Sequence, residues 1–141
     1  MRSRRLSVEN DSPTPSPSPS EETPAPVAAT FAALGVMPSL VDPLAERGIA
    51  TPFPVQQMAI PVALTGADLI GQARTGTGKT LAFGLPLLQR IVSPDEPDYA
   101  DLAAPGAPQA LVVTPTRELA LQVATDLELA SSKRRVRVLT V

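Results

Sequence analysis

The 141-residue chain, 43% hydrophobic, can supply the core of one modest domain, and its 12 basic against 14 acidic residues create no whole-molecule field for a polyanion. Neither cysteine nor histidine occurs, which excludes a disulfide frame, a thiolate metal site and imidazole chemistry. No apolar run approaches the roughly 18 residues of a membrane span, and "MRSRRLSVEN" has no apolar centre for a signal peptide, so a cytoplasmic protein is expected.

Residues 1–28 form a tail. Within it, Ser12 to Pro26, "SPTPSPSPSEETPAP", carries six prolines among serines, threonines and acids, a composition that cannot bury enough apolar area to offset the entropy of ordering. Order is expected from about residue 29. A short helix fits "SLVDPLAERG", with Asp42 capping, Pro43 in the first turn and Gly48 as the left-handed stop. A second fits "PVQQMAIPVALTG", which Pro61 should kink or shorten. "DLIGQA" from Asp68 reads as a strand running into a glycine-rich loop, and Leu81, Leu85, Leu88 and Ile91 or Val92 then recur at helical spacing.

Residues 93–108, "SPDEPDYADLAAPGAP", read as a long surface loop. "QALVVT" from Gln109 reads as a buried strand, "TRELALQVATDLELAS" as a helix with Leu119, Val123 and Leu127 on one face, and "RVRVLTV" as a further strand. Alternation of strand and helix implies an α/β fold with a parallel sheet and right-handed crossovers. Three strands leave two bare edges, so residues 58–141 are expected to be the opening part of a larger domain, with residues 29–57 preceding it.

Between the first strand and its helix stands "ARTGTGKT", Ala73 to Thr80. Glycines there let successive backbone N–H groups turn inward around a phosphate, while the following helix aims its positive end at the same place. Lys79 would reach the β- and γ-phosphates of a nucleotide and the Thr80 hydroxyl would ligate Mg²⁺. The competing reading is a glycine-rich turn before a buried helix, which leaves Lys79 without a purpose. Upstream, "GIATPFPVQ" ends on Gln56, whose amide offers a donor and an acceptor complementary to adenine N6 and N7, and Phe31, 17 residues before Gly48, could stack on the base. On these residues alone, Gln56 also fits an exposed helix position and Phe31 a core anchor. In "TPTRELA", Thr114 can cap and Pro115 can start a helix, leaving free N–H groups and the Arg117 guanidinium at one anion site, unless Arg117 pairs with a nearby acid.

Together these segments resemble the amino-terminal part of a DEAD-box ATP-dependent RNA helicase. The family's glutamine motif, G-F-x-x-P-x-x-I-Q, is matched at Gly48, Pro52 and Gln56, with the upstream aromatic at Phe31 and departures at Ile49 and Val55. Its A-x-T-G-x-G-K-T motif is matched at Ala73, Thr75, Gly76, Gly78, Lys79 and Thr80, and P-T-R-E-L is intact at Pro115 to Leu119. The resemblance implies a partial RecA-like P-loop domain. It implies that Phe31, Gln56, Ala73, Arg74, Thr75, Gly76, Thr77, Gly78, Lys79 and Thr80 bind ATP, with Mg²⁺ on Thr80. It also implies that Pro115, Thr116 and Arg117 hold an RNA phosphate without reading sequence.

The D-E-A-D box, the S-A-T motif and the second RecA-like domain of that family do not occur in these 141 residues. The full-length parent is therefore expected to hydrolyse ATP and separate short RNA duplexes, and these residues alone are not. The alternatives are another P-loop ATPase, against which Gln56 and Phe31 argue, and a non-catalytic nucleotide- or RNA-binding piece.

Overall fold

The computed structural model describes residues 29–141; the Ser/Pro-rich tail lies outside the described residues. Four α-helices follow in order, α1 Pro38–Glu46, α2 Pro54–Leu64, α3 Lys79–Arg90 and α4 Arg117–Ala130, with a 3₁₀ turn at Pro97–Asp101. Helices α2 and α3 open where their sequence signals place them, at Pro54 and Lys79, whereas α1 and α4 do not. Pro38, not Pro43, takes the first position of α1, which therefore starts one turn earlier than Asp42 suggests and contains Pro43. Its far end is a Schellman turn: Gly48 at φ +76° sends its N–H to Ala45 O, and Ile49 sends its own to Leu44 O. Helix α2 runs through Pro61. At α4 the cap is Thr116, whose hydroxyl accepts from Leu119 N at 3.2 Å, while the Thr114 hydroxyl donates to Thr116 O.

Helices α2 and α3 lie side by side and point the same way, meeting through Gln56 and Gly78 at their amino ends and through Gly66 and Arg90 at their carboxyl ends. Helix α4 packs on both α3 and α1. The α3–α4 approach is close because position 84 has no side chain: a Cβ on Gly84 would stand 2.5 Å from Leu127 Cδ2. The core is built from Phe31, Leu40, Leu44, Ile60, Leu85, Leu88, Val123 and Leu127. Leu119, expected on the buried face of α4, is 38% exposed, and Ala124 and Ala130 continue that face in its place.

Two side chains fasten the loops. Gln89 of α3 accepts from Met37 N at 2.9 Å and donates to Gly35 O at 3.0 Å, pinning the turn that carries Phe31. Arg134, 9% exposed, donates to Leu88 O in the last turn of α3, to Ile91 O just beyond it and to Glu96 Oε1, closing the end of α3 and anchoring the 93–108 loop. Gln109 closes that loop at its base with paired bonds to Val92 N and O.

The parallel sheet is not formed among the described residues, which contain no β-strand. Residues 68–73, 109–114 and 135–141 make no backbone hydrogen bonds with one another. A ladder needs backbones about 4.8 Å apart, and these segments instead meet the helices through side chains. Their period-two pattern is nevertheless present: Val112, Val136 and Val138 pack on the core, while Leu111, Val113 and Leu139 point away and are 81%, 83% and 75% exposed.

Candidate nucleotide site

The loop between residue 73 and α3 is shaped by its glycines. Gly76 and Gly78 both have φ +80°, a conformation L side chains rarely adopt, and Gly78 is the residue from which α3 starts. None of the backbone N–H groups from Ala73 to Gly78 donates to a backbone carbonyl among the described residues. The Thr77 hydroxyl closes the turn on Arg74 O at 2.7 Å. Lys79, the first residue of α3, folds its ammonium back onto Ala73 O at 2.5 Å and Arg74 O at 2.6 Å. A cluster of free amides, a helix amino terminus and a lysine thus converge on one loop, the arrangement that binds phosphate. Thr80 follows, half-buried in the first turn of α3.

Gln56 joins this loop to the segment before it. Its side chain is 1% exposed, and Oε1 accepts from Phe53 N at 2.8 Å while Nε2 donates to Gly78 O at 2.9 Å. The first bond is half of a capping box on α2, and the second ties α2 to the phosphate loop across 22 residues of sequence. Gln56 is therefore not the exposed helix residue its position alone allowed. Each end of the amide keeps one further hydrogen-bonding position, one N–H and one lone pair.

Phe31 stands apart from this gathering. It is 1% exposed and belongs to the hydrophobic core, the anchor position that its sequence environment also fitted. The aromatic ring at the loop is Phe53, which sequence reasoning passed over. It is 53% exposed, and its Cδ2 lies 2.8 Å from where a Gly78 Cβ would be.

Pro115, Thr116 and Arg117 form the exposed start of α4. The ion pairs among the described residues join Lys133 to Asp42 and Glu46, and Arg134 to Glu96, so Arg117 is paired with none of those acids.

The family model for "DEAD/DEAH box helicase" matches residues 53–141, well over half of the chain. The chain belongs to the DEAD/DEAH box helicase family. Among its relatives, the DEAD-box ATP-dependent RNA helicase 3 of Helianthus annuus is 47% identical over 95 residues, covering 67% of this chain and 40% of that protein. The DEAD-box ATP-dependent RNA helicase CshA of Bacillus cereus is 43% identical over 112 residues, 79% of this chain and 19% of that protein. Among solved structures, S. cerevisiae Dbp5 bound to RNA and ADP BeF3 superposes with a TM-score of 0.65 at 30% identity, covering 75% of this chain and 25% of that one. The Prp28 RNA helicase of Chaetomium thermophilum bound to ADP gives 0.61 at 36% identity, with 74% and 24% covered. This DEAD-box chain thus spans 40% or less of the relatives it matches.

Proposed function

We propose that the full-length protein is an ATP-dependent RNA helicase and that residues 29–141 supply part of its ATP site and one RNA-phosphate contact. The observation that carries this reading is the run of unpaired amides from Ala73 to Gly78 joined to the amino terminus of α3, with Lys79 held at the same loop. A triphosphate is a charged acceptor, and it competes well for an ammonium that now sits on two neutral carbonyls. Gln56, already fixed at both ends beside Gly78, would read adenine through its remaining donor and acceptor, which guanine does not complement.

The Thr80 hydroxyl is a hard oxygen at the start of α3, the kind of donor Mg²⁺ accepts alongside phosphate oxygens, and the bound ion would neutralise charge on those phosphates. Arg117, exposed at the capped start of α4, would hold an RNA phosphate and so position the strand without reading it. RNA and ATP are also what the Dbp5 and Prp28 structures and the names of the relatives point to. A RecA-like parallel sheet completed by further strands, with residues 109–114 and 135–141 contributing, belongs to the same proposal.

The test is ATP hydrolysis and separation of a short RNA duplex by the full-length protein, wild type against Lys79→Ala. Loss of a cation at the β- and γ-phosphates should lower turnover by at least about a hundredfold, the order expected for removing one preorganised charge. Turnover at the wild-type level in Lys79→Ala refutes the assignment.

A further inference from the structure

We infer that Phe53, rather than Phe31, is the aromatic surface on which the nucleotide base rests; this rests on the ATP-binding reading above. The chain has four aromatic residues, Phe31, Phe53, Phe83 and Tyr99. Phe31 is locked in the core at 1% exposure. Phe83 faces the groove between α2 and α3 with Val55, Ala59 and Ala63, and Tyr99 lies in the 93–108 loop, its hydroxyl 4.0 Å from a Cβ built on Gly106. Only Phe53 combines a half-open ring with contact to the phosphate loop, its Cδ2 packed where any side chain on Gly78 would collide.

The ring is held in advance of any ligand. Phe53 sits between Pro52 and Pro54, caps α2 in an extended conformation at φ −67° and ψ 159°, and gives its N–H to Gln56 Oε1. One edge of the ring rests at Gly78, where Gln56 Nε2 also lies, and about half of the residue's surface stays open, while the Gln56 amide that would pair with the base edge is itself buried. Pairing and stacking from residues three apart is the arrangement a flat heterocycle needs. Gln56 then selects the base and Phe53 holds it, because every base presents a π-face.

Equilibrium binding to the full-length protein separates the two roles, with Mg·ATP, Mg·GTP and inorganic tripolyphosphate as probes. Phe53→Leu keeps apolar bulk against Gly78 but removes the π-face, and Phe53→Tyr keeps both. Phe53→Leu should weaken ATP and GTP by the same factor, about tenfold for one lost base stack. Tripolyphosphate should bind as to wild type, and Phe53→Tyr should restore both nucleotides. Unchanged ATP affinity in Phe53→Leu overturns the proposal. So does a parallel loss of tripolyphosphate, which would mean that the ring acts only by ordering the loop. If wild type itself binds neither nucleotide, the ATP-binding reading fails first, an outcome distinct from the failure of Phe53 alone.

Discussion

Gly78 answers to three demands at once: a left-handed backbone, a carbonyl offered to Gln56, and room for the Phe53 ring. A methyl group there meets Gln56 Nε2 and Phe53 together and adds about 1–2 kcal/mol of backbone strain. Gly78→Ala should therefore lower both thermal stability and Mg·ATP affinity, the latter by tenfold or more; calorimetry and nucleotide titration on the full-length protein check the two effects. A variant with normal affinity would show that the loop does not need this conformation to bind phosphate. Gln56 illustrates a residue whose type was readable and whose commitment was not. Its chemistry suggested base readout, but both bonds it makes depend on backbone groups brought to it by the packing of α2 on α3.

At the scale of elements, α3 is the part that must stay in place, because it carries Lys79 at one end and is fastened at the other. Arg134 supplies that fastening through three hydrogen bonds, with its side chain 4% exposed. Arg134→Met takes one of two donors from Leu88 O, leaves Ile91 O and Glu96 Oε1 without theirs, and should cost about 2–4 kcal/mol of stability, measured by denaturant unfolding. A change below about 0.5 kcal/mol would put Arg134 with ordinary surface positions. The 93–108 loop carries a second, smaller device. The Ser93 hydroxyl donates to Asp95 Oδ1 at 2.6 Å and, with Asp95's own backbone, holds that carboxyl below its ordinary 3.8. A depressed carboxylate contributes its stability above the unfolded value and loses it as pH falls through the folded one, so the contact should persist at neutral pH and open only below 3.8. Ser93→Ala should bring the Asp95 titration, followed by carboxyl NMR, back toward 3.8; an unmoved titration would assign the depression elsewhere.

For the molecule as a whole, helices were the most legible feature, since the spacing of Leu85, Leu88, Val123 and Leu127 alone places them against one core. Their starts were less so: Pro38 and Thr116 won over Asp42 and Thr114, choices that neighbouring residues make only in three dimensions. The alternation of Val136 and Val138 with Arg137 and Leu139 was readable too, but a ladder is a property of adjacent backbones and is absent among the described residues. Leu111, Val113 and Leu139 are left apolar and open, the composition of strands covered on both faces. In the site, the glycines and Lys79 were evident from spacing and a core position was one of two readings open for Phe31, whereas the place of Phe53 at the loop was not. That depends on which ring the packing of α1, α2 and α3 leaves outside.

The central claim, that main-chain amides from Ala73 to Gly78 receive the phosphates, is tested most directly by following those amides in the full-length protein by NMR as Mg·ATP is added. The amide protons of Arg74 to Gly78 should shift together and saturably, and in Lys79→Ala the same shifts should require at least about tenfold more nucleotide. Saturable ATP binding that leaves these amides unmoved would contradict it.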